Sequence, residues 1–147
     1  MRWLITITLL AACGDDGVDP DSCQPAGTSE GPWVRAAQIS VGTMHALVFD
    51  EVAGACGEVA TTGERLVLLM CEPPEEKNYR VVPEQSFRCP GNEVLALVER
   101  DGGTDEAKAI SGTLEIESVT GCVRGSYSVT LPTLDMLEAS FDAVVCN

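Results

Sequence analysis

Residues 110–145 read ISGTLEIESVTGCVRGSYSVTLPTLDMLEASFDAVV, and apolar and polar side chains alternate along three stretches of this segment. In Ile110–Glu117 the even positions are apolar or Gly, whereas in 123–131 and 137–145 the odd positions are. A period of two is the period of a β-strand with one buried and one solvated face. Three such stretches joined by short loops predict an antiparallel meander.

The register of the first strand pair follows from matching the apolar faces. A slip of one residue would turn the whole apolar set of a strand towards solvent. Placing Ile116 opposite Gly125 brings Leu114 opposite Tyr127, so that the aromatic ring lies against an aliphatic neighbour. Such a cross-strand pair contributes roughly 0.2–1 kcal/mol beyond an Ala–Ala pair.

The second strand pair is predicted in the same way. Placing Leu131 opposite Leu137 brings Tyr127 opposite Phe141. The same register sets Cys122 opposite Cys146, and both cysteines then lean to one side of the sheet. The sequence therefore predicts a disulfide bond between these two residues.

The chain contains 7 cysteines. Setting Cys13 aside leaves an even number, which in a small exported protein indicates disulfide bonds. These candidates are Cys23, Cys56, Cys71, Cys89, Cys122 and Cys146. Once Cys122 and Cys146 are paired, a bond between Cys56 and Cys71 closes the shortest remaining segment. That choice leaves Cys23 to pair with Cys89.

The residues before the meander also favour β-structure. Short apolar runs such as Leu66–Met70 and Val94–Val98 are separated by clusters of Gly, Pro and Asp. This spacing predicts an all-β, disulfide-braced antiparallel β-sandwich of about seven to nine strands, with a small β-barrel as the alternative. Only residues 52–63 leave room for a helical turn.

The chain begins MRWLITITLLAACGDD, with one basic residue before a short apolar run. This run has about 10 residues, whereas a membrane-spanning helix needs about 20. Leu10–Cys13 resembles the lipobox of bacterial lipoproteins. The resemblance implies cleavage before Cys13 and acylation of its thiol, and thus a lipid bilayer as the first partner of the mature chain.

The resemblance also implies a division of the chain. Residues 1–12 would form the signal peptide, 13–31 an acidic flexible tether, and 32–147 a single β domain. In this family an Asp after the acylated cysteine is the best-known signal for retention in the inner membrane. This chain has Gly14 there, so we expect anchoring at the outer membrane, on either of its faces.

The net charge of the chain and the motifs that it lacks disfavour several classes of function. The formal net charge of −14 disfavours nucleic acid, because binding to phosphates requires basic side chains. His45 is the one histidine of the chain, and no nucleophile elbow, phosphate-binding loop or zinc-binding motif accompanies it. We therefore expect no catalytic residue, no metal ligand and no cofactor.

The leading hypothesis is a non-catalytic structural or protein-binding module, whose protein partner the sequence does not identify. The first alternative is a barrel that carries a small ligand. The second is a carboxylate-based hydrolase, since two carboxylates suffice for glycoside hydrolysis and the chain has 23 acidic residues. The acidic stretch Glu72–Glu76, however, reads as a solvated loop.

Overall fold

The computed structural model describes residues 35–50, 63–100 and 104–146. These residues form strands joined by turns and one 3-10 turn at Glu84–Ser86. The strands are β1 (Arg35–Val41), β2 (Met44–Asp50), β3 (Glu64–Met70), β4 (Asn78–Val81), β5 (Glu93–Arg100), β6 (Asp105–Lys108), β7 (Ser111–Ser118), β8 (Cys122–Thr130) and β9 (Met136–Val145). The all-β prediction is confirmed.

The strands form a closed barrel of 8 strands. Neighbours around it are β1, β2, β3, β5, β4, β7, β8 and β9, and β9 pairs in parallel with β1 to close the circle. The remaining strand, β6, pairs with the second half of β5. The predicted sandwich is therefore wrong, and the alternative small barrel is correct. A period of two cannot distinguish a sandwich from a barrel, because both architectures bury one face of every strand.

The meander of β7, β8 and β9 is present, and its first register is confirmed. Leu114 lies opposite Tyr127, and Ile116 lies opposite Gly125. The predicted inner face is also the buried one: Leu114, Tyr127 and Phe141 belong to the core cluster inside the barrel. Glu115 on the other face is exposed.

The predicted register between β8 and β9 is wrong by two residues. Tyr127 lies opposite Ala139 rather than Phe141, and Cys122 lies opposite Val144 rather than Cys146. Because the shift is an even number of residues, each side chain keeps its face. The prediction of which β9 side chains point into the barrel is therefore correct, although the predicted pairing is not.

The hairpin loop explains this shift. The amide of Leu131 donates to the carbonyl of Asp135 at 2.9 Å, so the loop is shorter than a Leu131–Leu137 pairing requires. Within it the amide of Leu134 donates to the Leu131 carbonyl at 2.9 Å, and Leu134 has a φ of 66°. A three-residue loop that ends in a left-handed residue is a common hairpin connection.

Three aromatic rings lie at the centre of the barrel. The ring centroid of Phe49 is 5.0 Å from that of Tyr127 and 5.1 Å from that of Phe141. Aliphatic side chains from the surrounding strands pack around this group, so the described part of the interior is filled by protein.

The disulfide pattern corrects two predictions. Cys71 is bonded to Cys89, so the predicted bonds of Cys71 with Cys56 and of Cys89 with Cys23 are both wrong. The Cys56–Cys71 bond was predicted because it closes the shortest remaining segment. This criterion failed because β3 pairs with β5, with Leu69 opposite Leu95. The end of β3 and the loop before β5 are consequently neighbours in space.

Cys122 and Cys146 each take part in a disulfide bond. The observed register places Cys122 opposite Val144, so the argument for pairing the two cysteines with each other no longer holds.

Several predictions fall on residues outside the described ranges. These are the signal peptide, the acylated Cys13 and the tether, and residues 52–62 of the segment that leaves room for a helical turn. Cys23 and Cys56 also lie outside the described ranges. In the part of the chain that the structure describes, no helix has the length and apolar character needed to cross a membrane.

Candidate functional site

A groove of about 420 Å³ lies on the outer wall of the barrel, where β4 meets the beginning of β5. Most of its lining residues carry polar or charged side chains, and they come from β4, from the loop before β5 and from the first residue of β5. The lining residues are Asn78, Tyr79, Arg80, Arg88, Pro90, Gly91, Asn92 and Glu93.

The alternation of β4 builds one side of the groove. Tyr79 and Val81 are buried in the barrel, and Asn78 and Arg80, which alternate with them, are exposed. The parallel pairing of β4 with β5 sets Arg80 opposite Glu93. As a result, the Arg80 Nη2 donates to Glu93 Oε1 at 2.9 Å.

The loop before β5 builds the other side, and the Cys71–Cys89 disulfide ties it to the end of β3. The backbone amide of Arg88 donates to Glu93 Oε2 at 3.0 Å. The Arg88 Nη1 donates to two carbonyl oxygens, that of Gln85 at 2.9 Å and that of Phe87 at 2.7 Å. The guanidinium of Arg88 is thus oriented by the backbone of its own loop.

The electrostatics of the groove differ from those of the whole chain. Two guanidinium groups, those of Arg80 and Arg88, face one carboxylate, that of Glu93. Both oxygens of this carboxylate accept hydrogen bonds, so Glu93 fixes the two sides of the groove relative to each other. A small cationic surface therefore lies on a protein with a formal net charge of −14.

The rim of the groove carries another basic residue. The Lys77 Nζ lies 5.0 Å from the ring centroid of Tyr79 and donates to Glu75 Oε2 at 2.7 Å. This hydrogen bond to Glu75 raises the pKa of Lys77 above its ordinary value. The amide of Glu75 donates to the Tyr79 hydroxyl at 2.9 Å, which holds this rim against the barrel.

The outer wall also carries an apolar surface, on β1, β2, β3 and β5. We call it the outer patch. It consists of Ala37, Ile39, Ala46, Val48, Val67, Leu69, Leu95 and Leu97. Cross-strand partners such as Ile39 and Ala46, or Val67 and Leu97, make it continuous across the four strands. These side chains alternate with those that fill the barrel.

His45 and the acidic residues that the sequence analysis considered lie partly within the described ranges. His45 lies in β2 opposite Met70, and its buried Nδ1 makes no hydrogen bond within the described ranges. The acidic residues Glu72, Glu75 and Glu76 are exposed, as a solvated loop requires. Among described residues, no group of three or more His, Cys, Asp or Glu side chains is placed to hold a metal ion.

The groove residues were not predicted from the sequence. Arg80, Arg88 and Glu93 come from separate segments, and each alone resembles an ordinary surface residue. Only the parallel pairing of β4 and β5 brings them together, and neither strand carries a local signal for it. No protein-family model, curated protein or solved structure is detectably similar to the chain.

Proposed function

We propose that this chain is a non-catalytic binding module, anchored through acylated Cys13 to the outer membrane, which holds a segment of a partner protein in the groove. The observation that carries this proposal is an open groove, lined by two arginines and one glutamate, on the outer wall of a barrel whose described interior is packed with side chains.

The filled interior favours binding at the outside. Leu47, Leu66 and Leu114 are fully buried in the core cluster, alongside the three aromatic rings. A barrel that carries a small ligand needs an internal volume of several hundred Å³ for it. The carrier hypothesis therefore receives support from the closed topology but none from the packing.

The groove gives little support to the hydrolase hypothesis. Glycoside hydrolysis uses two carboxyl groups about 5–10 Å apart. Glu93 is the one carboxylate that lines this groove, and both of its oxygens are engaged by hydrogen bonds. A carboxylate held in this way organises a binding surface and is poorly placed to exchange a proton with a substrate.

The expected ligand follows from the donors that remain. An arginine side chain carries five N–H donors and no acceptor. In the contacts described above, Arg88, a lining residue of the groove, uses Nη1 for backbone carbonyls and neither Nε nor Nη2. Charge-assisted pairing with a carboxylate is the strongest use of such donors. We therefore propose an acidic segment of a protein as the ligand.

Photocrosslinking in cells tests this site. A photoreactive amino acid at position 92, in place of Asn92, is expected to form an adduct with the partner. Arg88→Ala should lower its yield about tenfold or more, because a hydrogen bond between charged groups contributes about 1.5–3 kcal/mol. Arg124→Ala is the matched control, since Arg124 is exposed on the outer wall and paired with Asp142. An adduct that Arg88→Ala leaves unchanged, or no adduct at all, would contradict the proposal.

The anchor has its own test. Cys13→Ser is expected to abolish incorporation of a labelled fatty acid and to release the protein from membranes. Stable anchoring takes at least two lipid chains, which the acylated cysteine would supply. The measurement is fractionation of cells that express each form. A wild-type chain that takes up no label, or a Ser variant that still sediments with membranes, would rule out the anchor.

A further inference from the structure

The Cys71–Cys89 disulfide bond lies directly beside the groove. Cys71 follows the last residue of β3, and Cys89 follows Arg88, which lines the groove. The Cys71 Sγ is 3.8 Å from the carbonyl oxygen of Arg88, so the bond packs against the backbone of this residue. A change in the bond therefore acts first on the position of Arg88.

The bond is accessible to reagents in solution through one of its two cysteines. Cys89 is exposed, whereas Cys71 is half-buried. Exposed disulfide bonds are the ones that thiols reduce most readily. Cys122, which belongs to another disulfide bond, is only 7% exposed. A mild reductant is therefore expected to cleave the Cys71–Cys89 bond first.

The loop between β4 and β5 has little packing to hold it in place. Within the described residues 83–92 no side chain is buried, and only Pro83 and Phe87 are half-buried. Segments with few buried apolar contacts open locally at a small cost in free energy. The covalent bond at Cys89 is consequently the main restraint on the middle of this loop.

Hydrogen bonds add less to the position of the loop than the covalent bond does. They join its two ends to the barrel, through the pairs Lys108–Glu84 and Arg80–Asn92. Nearer the middle, the hydrogen bond from the Arg88 amide to Glu93 is solvent-exposed. Such a bond contributes little net stability, because water can replace either partner. Loss of the disulfide bond would therefore release the wall of the groove that carries Arg88.

The barrel itself does not depend on this bond. Strands β3 and β5 are paired through six residues each, from Glu64 opposite Arg100 to Leu69 opposite Leu95. Leu66 and Leu68 of β3 are fully buried in the core cluster, and neither Cys71 nor Cys89 belongs to that cluster. Cleavage of the bond is thus expected to free the loop and leave the barrel folded.

We propose that the Cys71–Cys89 bond is a redox switch of the groove. In the oxidised form it holds Arg88 in place beside Glu93, and the groove binds the acidic segment. In the reduced form residues 84–92 are released, and the groove loses its affinity for that segment. The effect on binding rests on the proposed function, whereas the release of the loop does not.

The reaction that works this switch is thiol–disulfide exchange with a dithiol reductant. One thiolate of the dithiol attacks the exposed Cys89 Sγ. The S–S bond breaks, and its electron pair leaves on the Cys71 Sγ, which takes up a proton. The second thiolate of the dithiol then cleaves the mixed disulfide, and Cys89 leaves as a thiolate and takes up a proton. The protein gains two electrons and two protons, and the dithiol becomes a disulfide.

Hydrogen–deuterium exchange of the full-length protein in dithiothreitol tests the release of the loop. We expect a concentration at which alkylation finds Cys71 and Cys89 reduced while Cys122 and Cys146 stay oxidised. There, amides of residues 84–92 should exchange about tenfold faster or more, because local opening no longer breaks a covalent bond. Amides of β3 and β5 should keep their protection, and reoxidation should restore the slow exchange.

Two results would overturn the proposal. One is a Cys71–Cys89 bond that is reduced only together with loss of protection in β3 and β5. The other is unchanged exchange of residues 84–92 after selective reduction. Gln85→Ser is the control, because Gln85 is an exposed residue of the same loop and its replacement leaves the bond intact. Its exchange should match that of the oxidised wild type.

The effect on binding is read from the adduct formed by a photoreactive amino acid at position 92. The double variant Cys71→Ser with Cys89→Ser should lower the yield of this adduct severalfold. An equal yield in the double variant and the wild type would refute the control of binding by this bond. A wild-type chain that forms no adduct contradicts the proposed function alone, because hydrogen exchange still decides whether the bond controls the loop.

Discussion

Gly125→Ala is expected to lower the free energy of unfolding by about 3 kcal/mol or more. A Cβ atom at this position would lie 1.9 Å from the carbonyl oxygen of Glu115 and 3.2 Å from the Cα atom of Ile116. Both atoms belong to the backbone of β7, so no side-chain rotation can make room. The strands would have to separate next to the irregularity between Ile116 and Ser118.

Gly91→Ala is the matched control, because the atoms nearest to its added Cβ are 3.9 and 4.0 Å away. We expect this variant to stay within about 0.5 kcal/mol of the wild type. The measurement is a urea titration of both variants under oxidising conditions. Similar midpoints for the two would show that β7 and β8 are not packed as closely as described.

Phe49→Ala is expected to cost about 3–5 kcal/mol, which is the usual range for truncation of a large buried aromatic side chain. Phe49 is 1% exposed and contacts both Tyr127 and Phe141. Its ring is the one that approaches both other rings within about 5 Å, a distance typical of favourable aromatic pairs. Its removal would therefore leave a cavity at the centre of the barrel.

Met136→Ala provides the comparison, since Met136 is a large apolar residue that is 60% exposed. Its truncation should change the stability by no more than about 0.5 kcal/mol. Thermal and denaturant unfolding of the two variants would measure the difference. A loss of less than about 1 kcal/mol for Phe49→Ala would mean that the interior is loosely packed, and would revive the hypothesis of an internal ligand.

Local patterns predicted the strands and their faces well. Leu114 and Tyr127 are buried, and Glu115 is exposed, as strict alternation requires. The β8–β9 register was harder to predict from the sequence, because it depends on the left-handed conformation of Leu134. Such a conformation is usually signalled by Gly or Asn, and a leucine gives no hint of it.

Closure of the barrel and the position of the groove were beyond local patterns. The barrel needs β3 to pair with β5 and β1 to pair with β9, although other segments separate each of these pairs in the chain. The groove needs Arg80 to meet Glu93 across the parallel pairing of β4 with β5. These are non-local pairings, and alternation within a single strand carries no information about its neighbour.

The pairing of the first described strand with the last one, β1 with β9, has a consequence for the order of events during biosynthesis. Contacts such as Ala37 with Val144 can form only after the residues from 37 to 144 have been synthesised. Folds with such distant contacts close slowly, because the entropy of a long loop is lost before the contacts are gained. The barrel therefore stays open until the residues of β9 have been synthesised.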